Sequence, residues 1–172
     1  MPVKLSKCEF HKDSVAFLGH TISRQGIQPD PKKIEAVRDW PEPTQVKEVQ
    51  AALGFMNYYR KFIKGFSALA APLSALTKKD VPFRFTPKCR DAFKALKERL
   101  TSAPILAIFD PEKESILETD ASDYAIGACL TQKGDDGLAR PIAFYSRKMT
   151  GPELNYDIHD KELLAVVEAF RE

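Results

Sequence analysis

Two acidic side chains, Asp120 and Glu162, lie where a carboxylate could take part in catalysis. Asp120 ends a short apolar run and precedes the small residues Ala121 and Ser122, so we expect it at the rim of a β-sheet. Glu162 belongs to a segment with helical spacing and falls near the buried boundary of that helix. Two carboxylates from different elements suit Mg²⁺, which also takes water and substrate phosphate oxygens as ligands. Such an ion could activate water for attack on a phosphodiester.

An ordinary structural role is the alternative for both acids. Aspartates are common in turns at strand ends and helix glutamates are usually solvated, so spacing alone favours the structural alternative. Five further aspartates are interpreted as surface or turn residues: Asp110, Asp123, Asp135, Asp136 and Asp157.

Composition limits the class of protein. With 172 residues and 44% hydrophobic content, the chain can form one large or two small globular units. Its 26 Lys and Arg nearly balance its 24 Asp and Glu, so the net charge of +2 does not by itself indicate a nucleic-acid partner. Three separated cysteines form no zinc-binding pattern and favour a reducing, intracellular setting. The sequence shows neither a signal core nor an apolar run of the ~18 residues that a membrane helix needs, so no membrane partner is expected.

The N-terminal region is predicted to be β-structure followed by helices. Apolar runs at 8–10, 15–20 and 21–23 alternate with turn residues, as in β-hairpins. Asp30 and Pro31 are typical of a helix start, and a long amphipathic helix is predicted from Thr44 to Phe66. A short helix at 67–76 and another opened by Thr86 and Pro87 would complete a small bundle.

The C-terminal region is predicted to be an antiparallel meander covered by one helix. Strands are expected at 115–119, 125–131 and 141–146, and a helix after Gly151 and Pro152. Together with the bundle, this order predicts an α+β fold. The last helix shows no stop signal before Glu172, so we expect the sequence to end within an element, as in a fragment of a longer protein.

Collinear motifs along nearly the whole chain resemble one family. The N-terminal motifs are FLGH at 17–20, GIQPDPKKI at 26–34, WPEPT at 40–44 and LGFMNYYRKFI at 53–63. The C-terminal motifs are PL at 72–73, AFKALK at 92–97, TDAS at 119–122, IGA at 126–128, YSRKM at 145–149, ELNY at 153–156 and KELLA at 161–165. This series resembles the polymerase of gypsy-type long-terminal-repeat retrotransposons, from the end of the palm into ribonuclease H.

The resemblance implies three domains and a set of nucleic-acid contacts. Residues 1–30 would be the end of the palm, 31–103 the helical thumb and connector, and 104–172 the N-terminal half of a ribonuclease H-like domain. The primer grip would comprise Phe17, Leu18, Gly19 and His20, for which an ordinary strand ending in Gly-His is the alternative.

The thumb helix carries a track of Gln50, Gly54 and Tyr58 at intervals of four residues, and so on one stripe. In related polymerases this track lies in the minor groove of the template-primer duplex. Glutamine can bond base edges, glycine allows close approach, and an aromatic ring packs on sugars. The nearby cations Arg60, Lys61 and Lys64 suit phosphates. The alternative is a solvated helix face with an incidental glycine.

Asp120 and Glu162 match the first two catalytic carboxylates of the family, whereas the later two and the polymerase Tyr-x-Asp-Asp motif have no match. The resemblance therefore implies a fragment of an RNA-directed DNA polymerase and ribonuclease H that binds template-primer or RNA–DNA hybrid. Whether it is itself an enzyme stays open, and any Mg²⁺ is expected to bind weakly or not at all.

The expected partners are nucleic acid and the rest of the polyprotein, in the cytoplasm within a virus-like particle, or in the nucleus. The alternative is a non-catalytic, retroelement-derived binding module, with self-association through unpaired sheet edges.

Overall fold

The computed structural model describes residue 4 and residues 8–172, so the first residues of the predicted palm segment, 1–3 and 5–7, lie outside the described part. Its elements are strands β1 (Ser14–Phe17), β2 (His20–Ser23) and β3 (Gly26–Pro29), helices α1 (Pro31–Arg38), α2 (Val46–Tyr58), α3 (Phe66–Leu69), α4 (Ala71–Leu76) and α5 (Pro87–Thr101), strands β4 (Ser115–Ala121), β5 (Ala125–Lys133) and β6 (Ala139–Lys148), and helix α6 (Ile158–Ala169). Two 3-10 helices lie at Arg60–Phe62 and Glu153–Asn155. The predicted α+β fold is confirmed.

The first sheet is antiparallel, in the order β1-β2-β3. Leu18 and Gly19 join β1 to β2 with φ angles of 47° and 74°, and this two-residue turn matches the twist of the strands. The apolar run at 8–10 forms no strand, contrary to prediction, and Phe10 is 67% exposed. The third strand instead comes from β3, which the sequence analysis did not predict.

Local capping signals explain the helices that were predicted correctly. The Asp30 side chain accepts a hydrogen bond from the Lys32 amide at 3.0 Å and starts α1. Thr86 likewise accepts from the Cys89 amide and starts α5. Proline occupies the first position of both helices, where no amide donor is needed.

The single helix predicted from Thr44 to Phe66 is wrong. Helix α2 ends at Tyr58, and the chain continues through a 3-10 helix to Gly65, whose φ of 69° interrupts helical geometry. The apolar spacing persists beyond Tyr58 because the chain turns around one core, in which Ile63 and Phe66 are buried. The helix predicted at 67–76 is likewise divided, into α3 and α4.

The main apolar core lies within the helical region and extends into both sheets. Met56, Leu96 and Leu100 are almost fully buried in it, while Ile27 of β3 and Phe144 of β6 pack against it. Beyond α5, Leu106 exchanges two backbone hydrogen bonds with Ile27, of 2.7 and 2.8 Å. One core therefore includes residues from both sides of the domain boundaries predicted at residues 30 and 103. The division into three domains stays a prediction.

The second sheet is an antiparallel meander in the order β4-β5-β6, as predicted, although its strands are longer than expected. Helix α6 packs on one face through a small cluster of Ile126, Met149 and Ala165. The short helix α3 contacts β6, whose Ser146 faces away from α6 towards the helical bundle. Helix α6 ends at Ala169 with Phe170 as its cap, so the predicted continuation to Glu172 is wrong. In the described part of the chain, no helix combines the length and the apolar character required to cross a membrane.

Candidate nucleic-acid interface and carboxylate pair

The turn between β1 and β2, which we call the grip turn (Phe17–His20), is held by two tyrosine hydroxyls at the end of α2. The Tyr58 hydroxyl donates to the Leu18 carbonyl, and the Tyr59 hydroxyl donates to the Gly19 carbonyl at 2.9 Å. A Cβ atom at position 19 would lie 3.0 Å from the Tyr59 hydroxyl, which together with the positive φ explains the glycine. The grip turn and the thumb helix are therefore fixed relative to each other.

His20, the last residue of the grip turn, packs among three aromatic side chains. Its ring lies 5.3, 5.5 and 5.6 Å from the rings of Tyr58, Tyr59 and Phe62, and its Nδ1 atom is 2.9 Å from the Leu18 carbonyl. Burial, and then the charge of Lys61, hold the pKa of His20 below its ordinary value. A neutral ring that donates from Nδ1 to the carbonyl fits this environment. The structure thus places His20 as a support, while Phe17 and Leu18, at 58% and 70% exposure, face outward.

The predicted thumb track forms one exposed stripe. Gln50 and Gly54 are exposed on α2, and Tyr58 is 52% exposed beside the grip turn. A Cβ atom at Gly54 would meet no atom within 4 Å, so packing among the described residues does not explain the glycine. Exposed Lys61 lines a cavity of about 220 Å³ with the grip turn and Tyr58. The structure therefore brings the track, the grip turn and one cation to the same surface.

Two predicted phosphate contacts lie elsewhere. The Arg60 guanidinium donates to the Ser146 carbonyl of β6 and lies 5.9 Å from the centre of the Phe66 ring. Lys64 borders a different cavity, on the second sheet. Neither side chain belongs to the exposed stripe, because the chain leaves helical geometry after Tyr58.

Asp120 and Glu162 line one cavity of about 390 Å³ between β4 and α6, together with Thr119, Ala121, His159, Leu163 and Val166. Both acids are exposed, so the expectation that Glu162 is partly buried is wrong. Helix α6 buries Ala165 against the sheet instead, which leaves Glu162 on the open side. Asp120 pairs with Gly127 inside β4, rather than beyond its end.

Asp120 and Glu162 supply oxygen atoms of the kind that a magnesium ion takes, and strand register places Asp120 on the sheet face opposite to α6. Carboxylate oxygens are the ligands that Mg²⁺ prefers, and it often takes only one or two from a protein. Among residues 4 and 8–172, no group of three His, Cys, Asp or Glu side chains is close enough to hold a metal ion.

Sequence reasoning missed the polar contacts that attach α6 to β6. The Arg147 guanidinium donates to both carboxylate oxygens of Glu153, at 2.9 and 3.1 Å, and lies 3.1 Å from Glu168 of α6. Hydrogen bonds from Arg147, and then from the Thr150 amide, lower the pKa of Glu153 to about 2. The sequence offered only the motifs at 145–149 and 153–156 as a signal.

A family model described as an RNase H-like domain found in reverse transcriptase matches residues 85–172. The Transposon Tf2-3 polyprotein of Schizosaccharomyces pombe is 44% identical over 169 residues, which are 98% of this chain and 13% of that polyprotein. The chain therefore spans a small part of the length of the curated relatives that it matches.

Solved structures show the same arrangement of elements. The foamy viral protease-reverse transcriptase dRH in complex with double-stranded DNA is 26% identical, with a TM-score of 0.77, and the match covers 91% of this chain and 28% of that one. The foamy viral enzyme in complex with an RNA/DNA hybrid matches 96% of this chain and 22% of its own, with a TM-score of 0.79. At 24% identity, the second likeness concerns the fold alone.

Proposed function

The chain belongs to the family of RNase H-like domains found in reverse transcriptases, as a segment of a Tf2-like, gypsy-type retrotransposon polyprotein, and from that premise we propose that it binds the template-primer duplex. The duplex would lie along α2 and the grip turn. The observation that carries this proposal is the continuous exposed surface of Gln50, Gly54 and Tyr58, which the Tyr58 hydroxyl joins to the grip turn.

The chemistry of this surface suits a minor groove. The amide of Gln50 can donate to and accept from base edges, whereas open space above Gly54 lets a sugar-phosphate backbone approach the helix. The ring of Tyr58 is held by its hydroxyl, so it can pack on a sugar with little loss of side-chain freedom. Lys61 adds one positive charge beside the same surface.

Foamy viral relatives with this fold have been solved with double-stranded DNA and with an RNA/DNA hybrid. Those complexes support a double-stranded nucleic acid as the partner of this chain. We favour an RNA–DNA hybrid, because Asp120 of β4 and Glu162 of α6 match the first two carboxylates expected of a ribonuclease H domain.

Magnesium is the metal that Asp120 and Glu162 would hold. When bound, it would supply an activated water for hydrolysis of the RNA strand. With two carboxylates, this chain is expected to bind the ion weakly and to cleave slowly by itself. Its three free thiols fit a reducing compartment, in the cytoplasm or the nucleus.

A binding titration with an RNA–DNA hybrid tests the duplex proposal. We expect Gln50→Ala to weaken binding about 2- to 10-fold, as for one lost hydrogen bond. Tyr58→Ala should weaken it about tenfold or more, because it removes both the ring and the bond to the grip turn. Gln25→Ala, in the exposed β2–β3 turn, is the matched control. Undetectable hybrid binding by the unaltered chain, or binding unchanged by both substitutions on α2, would refute the proposal.

A further inference from the structure

A buried polar cluster fastens the segment after α2 to the second sheet. The Ser67 amide donates to the Ser146 hydroxyl at 2.9 Å, and the Ser67 hydroxyl donates to the Ser146 carbonyl at 3.0 Å. The Arg60 guanidinium donates to the same carbonyl. Ser67 and Ser146 are only 7% and 3% exposed, so these bonds are shielded from water. We call this group of Arg60, Ser67 and Ser146 the Ser146 clamp.

The clamp fixes both ends of a short segment that carries Lys64 at its exposed turn. Gly65 follows with a φ of 69°, which turns the chain sharply towards Ser67. Lys64 borders a cavity of about 350 Å³. The remaining lining residues lie on the second sheet, apart from Gly65: Glu118, Thr119, Asp120, Gly127, Ala128, Cys129 and Tyr145.

Strand register places the acids of this cavity on the same face as the clamp. Residues directly opposite each other in an antiparallel pair share a face. Asp120 lies opposite Gly127, which lies opposite Ser146, and Glu118 lies opposite Cys129. Burial, and then Glu118, raise the pKa of the Cys129 thiol, while Lys64 acts in the opposite direction. Lys64 therefore acts electrostatically on a side chain of the sheet face that carries Asp120.

The side chain of Lys64 is available to a ligand. It is exposed, and in the described part of the chain it forms no ion pair within 4 Å, although two carboxylates line its cavity. A flexible ammonium group at an open cavity is suited to a phosphate oxygen, whereas the two carboxylates repel a phosphate when no metal ion is bound. Gly127, which has no side chain, leaves room between them.

We propose that Lys64 binds a backbone phosphate of the nucleic-acid strand that passes Asp120, and that Arg60, Ser67 and Ser146 are positioning residues that hold it there. This inference rests on the proposed function and assigns Lys64 to the carboxylate site instead of the thumb track. One nucleic-acid strand would thus contact α2 and then the second sheet. The clamp keeps the distance between α2 and that sheet constant.

The first test measures the salt dependence of RNA–DNA hybrid binding by the full chain in EDTA. We expect Lys64→Gln to weaken binding about 3- to 10-fold at low salt. It should also reduce the slope of log affinity against log salt by about 0.9, the value for one phosphate contact with duplex DNA. Lys64→Arg should restore both, and Lys79→Gln, at an exposed lysine beyond α4, should change neither.

A double-mutant cycle locates the phosphate. Without a metal ion, Asp120→Asn removes a repulsive charge and should strengthen hybrid binding. The factor by which Asp120→Asn strengthens binding should be at least threefold smaller when Lys64→Gln is also present, because the phosphate is no longer held beside Asp120. Lys61→Gln combined with Asp120→Asn should be additive. For the clamp, Arg60→Met combined with Ser67→Ala removes both side-chain donors to the Ser146 carbonyl. In that background a further Lys64→Gln substitution should have almost no effect on the slope, with folding checked by circular dichroism.

Each other result overturns a definite statement. If Gln50→Ala and Tyr58→Ala weaken binding but Lys64→Gln leaves the slope unchanged, the inference fails and the proposed function stands. If the effects of Lys64→Gln and Asp120→Asn on hybrid binding are additive, the phosphate bound by Lys64 does not lie beside Asp120. If Glu118→Gln reproduces the effect of Lys64→Gln and both lower the melting temperature equally, Lys64 is an ion-pair partner of Glu118 and binds no phosphate. Absence of hybrid binding by the unaltered chain refutes both proposals.

Discussion

The grip turn and the carboxylate pair differ in how completely this chain builds them. Three aromatic rings packed around His20 and two tyrosine hydroxyls hold the grip turn, so its shape is set before any ligand binds. Asp120 and Glu162 are exposed, and no described side chain completes a group of three metal ligands with them. The surface proposed to bind the duplex is therefore preorganised, whereas the proposed carboxylate site depends on what a metal ion and substrate contribute.

The largest expected effect concerns the aromatic support of the grip turn. Tyr59 is 2% exposed, so Tyr59→Ala should lower the free energy of unfolding by about 3–5 kcal/mol, as for other large buried aromatic residues. Urea denaturation measures the loss. Tyr124→Ala, at an exposed position beside the second sheet, should cost less than about 1 kcal/mol. Similar losses for the two variants would contradict a preorganised grip turn.

The next effect concerns the turn itself. Gly19→Ala should destabilise by about 1–2 kcal/mol, because alanine is strained at a positive φ and its Cβ atom would press on the Tyr59 hydroxyl. Gly151→Ala is the matched control, since a Cβ atom there meets nothing within 4 Å. We expect the midpoint of urea unfolding to fall only for the substitution at position 19. An unchanged midpoint would mean that the turn adapts freely.

A pH titration examines the second sheet. The pKa of Glu153 is about 2 in the folded chain, below its ordinary value of 4.5, so its ion pair with Arg147 stabilises the fold fully above pH 4.5. That stabilisation should be lost as pH falls from about 5 through 2. The difference in unfolding free energy between the unaltered chain and Glu153→Gln should shrink over this range. Glu35→Gln, which removes an exposed carboxylate of α1, is the control. A constant difference for Glu153→Gln would exclude the ion pair in solution.

The smallest effect should come from magnesium. An ion bound weakly stabilises the folded chain by only about 0.4 kcal/mol when its concentration equals its dissociation constant. We therefore expect millimolar Mg²⁺ to raise the melting temperature slightly, and Asp120→Asn or Glu162→Gln to abolish the rise. A large rise in the unaltered chain would show that Asp120 and Glu162 bind the ion tightly, contrary to the expectation for two exposed carboxylates.

Local signals explain what the sequence predicted well. Asp30 and Thr86 cap helices through bonds that span two or three residues, so composition was sufficient to locate the starts of α1 and α5. The antiparallel meander of β4, β5 and β6 was predicted from the alternation of apolar and polar residues and from the turn residues between the strands. The stripe of Gln50, Gly54 and Tyr58 lies within one helix and depends on nothing distant.

Long-range contacts explain what the sequence could not give. The Arg60 guanidinium donates to a carbonyl 86 residues away in the sequence. Helical spacing alone could not predict that this side chain lies away from the thumb track. The break after Tyr58 was hidden because Ile63 and Phe66 return to the same core by another path. Ser67 and Ser146 are common polar residues whose partnership depends on tertiary structure alone.

The bridge between Ile27 and Leu106 has a consequence for how the chain folds. These two backbone bonds close a loop that contains all of the helices from α1 to α5. Closing so long a loop lowers the chain entropy before the two hydrogen bonds contribute any stability. The bridge should therefore form late, after the helices have collapsed on Met56 and Leu96, and a kinetic experiment would find it among the last backbone amides to gain protection from hydrogen exchange.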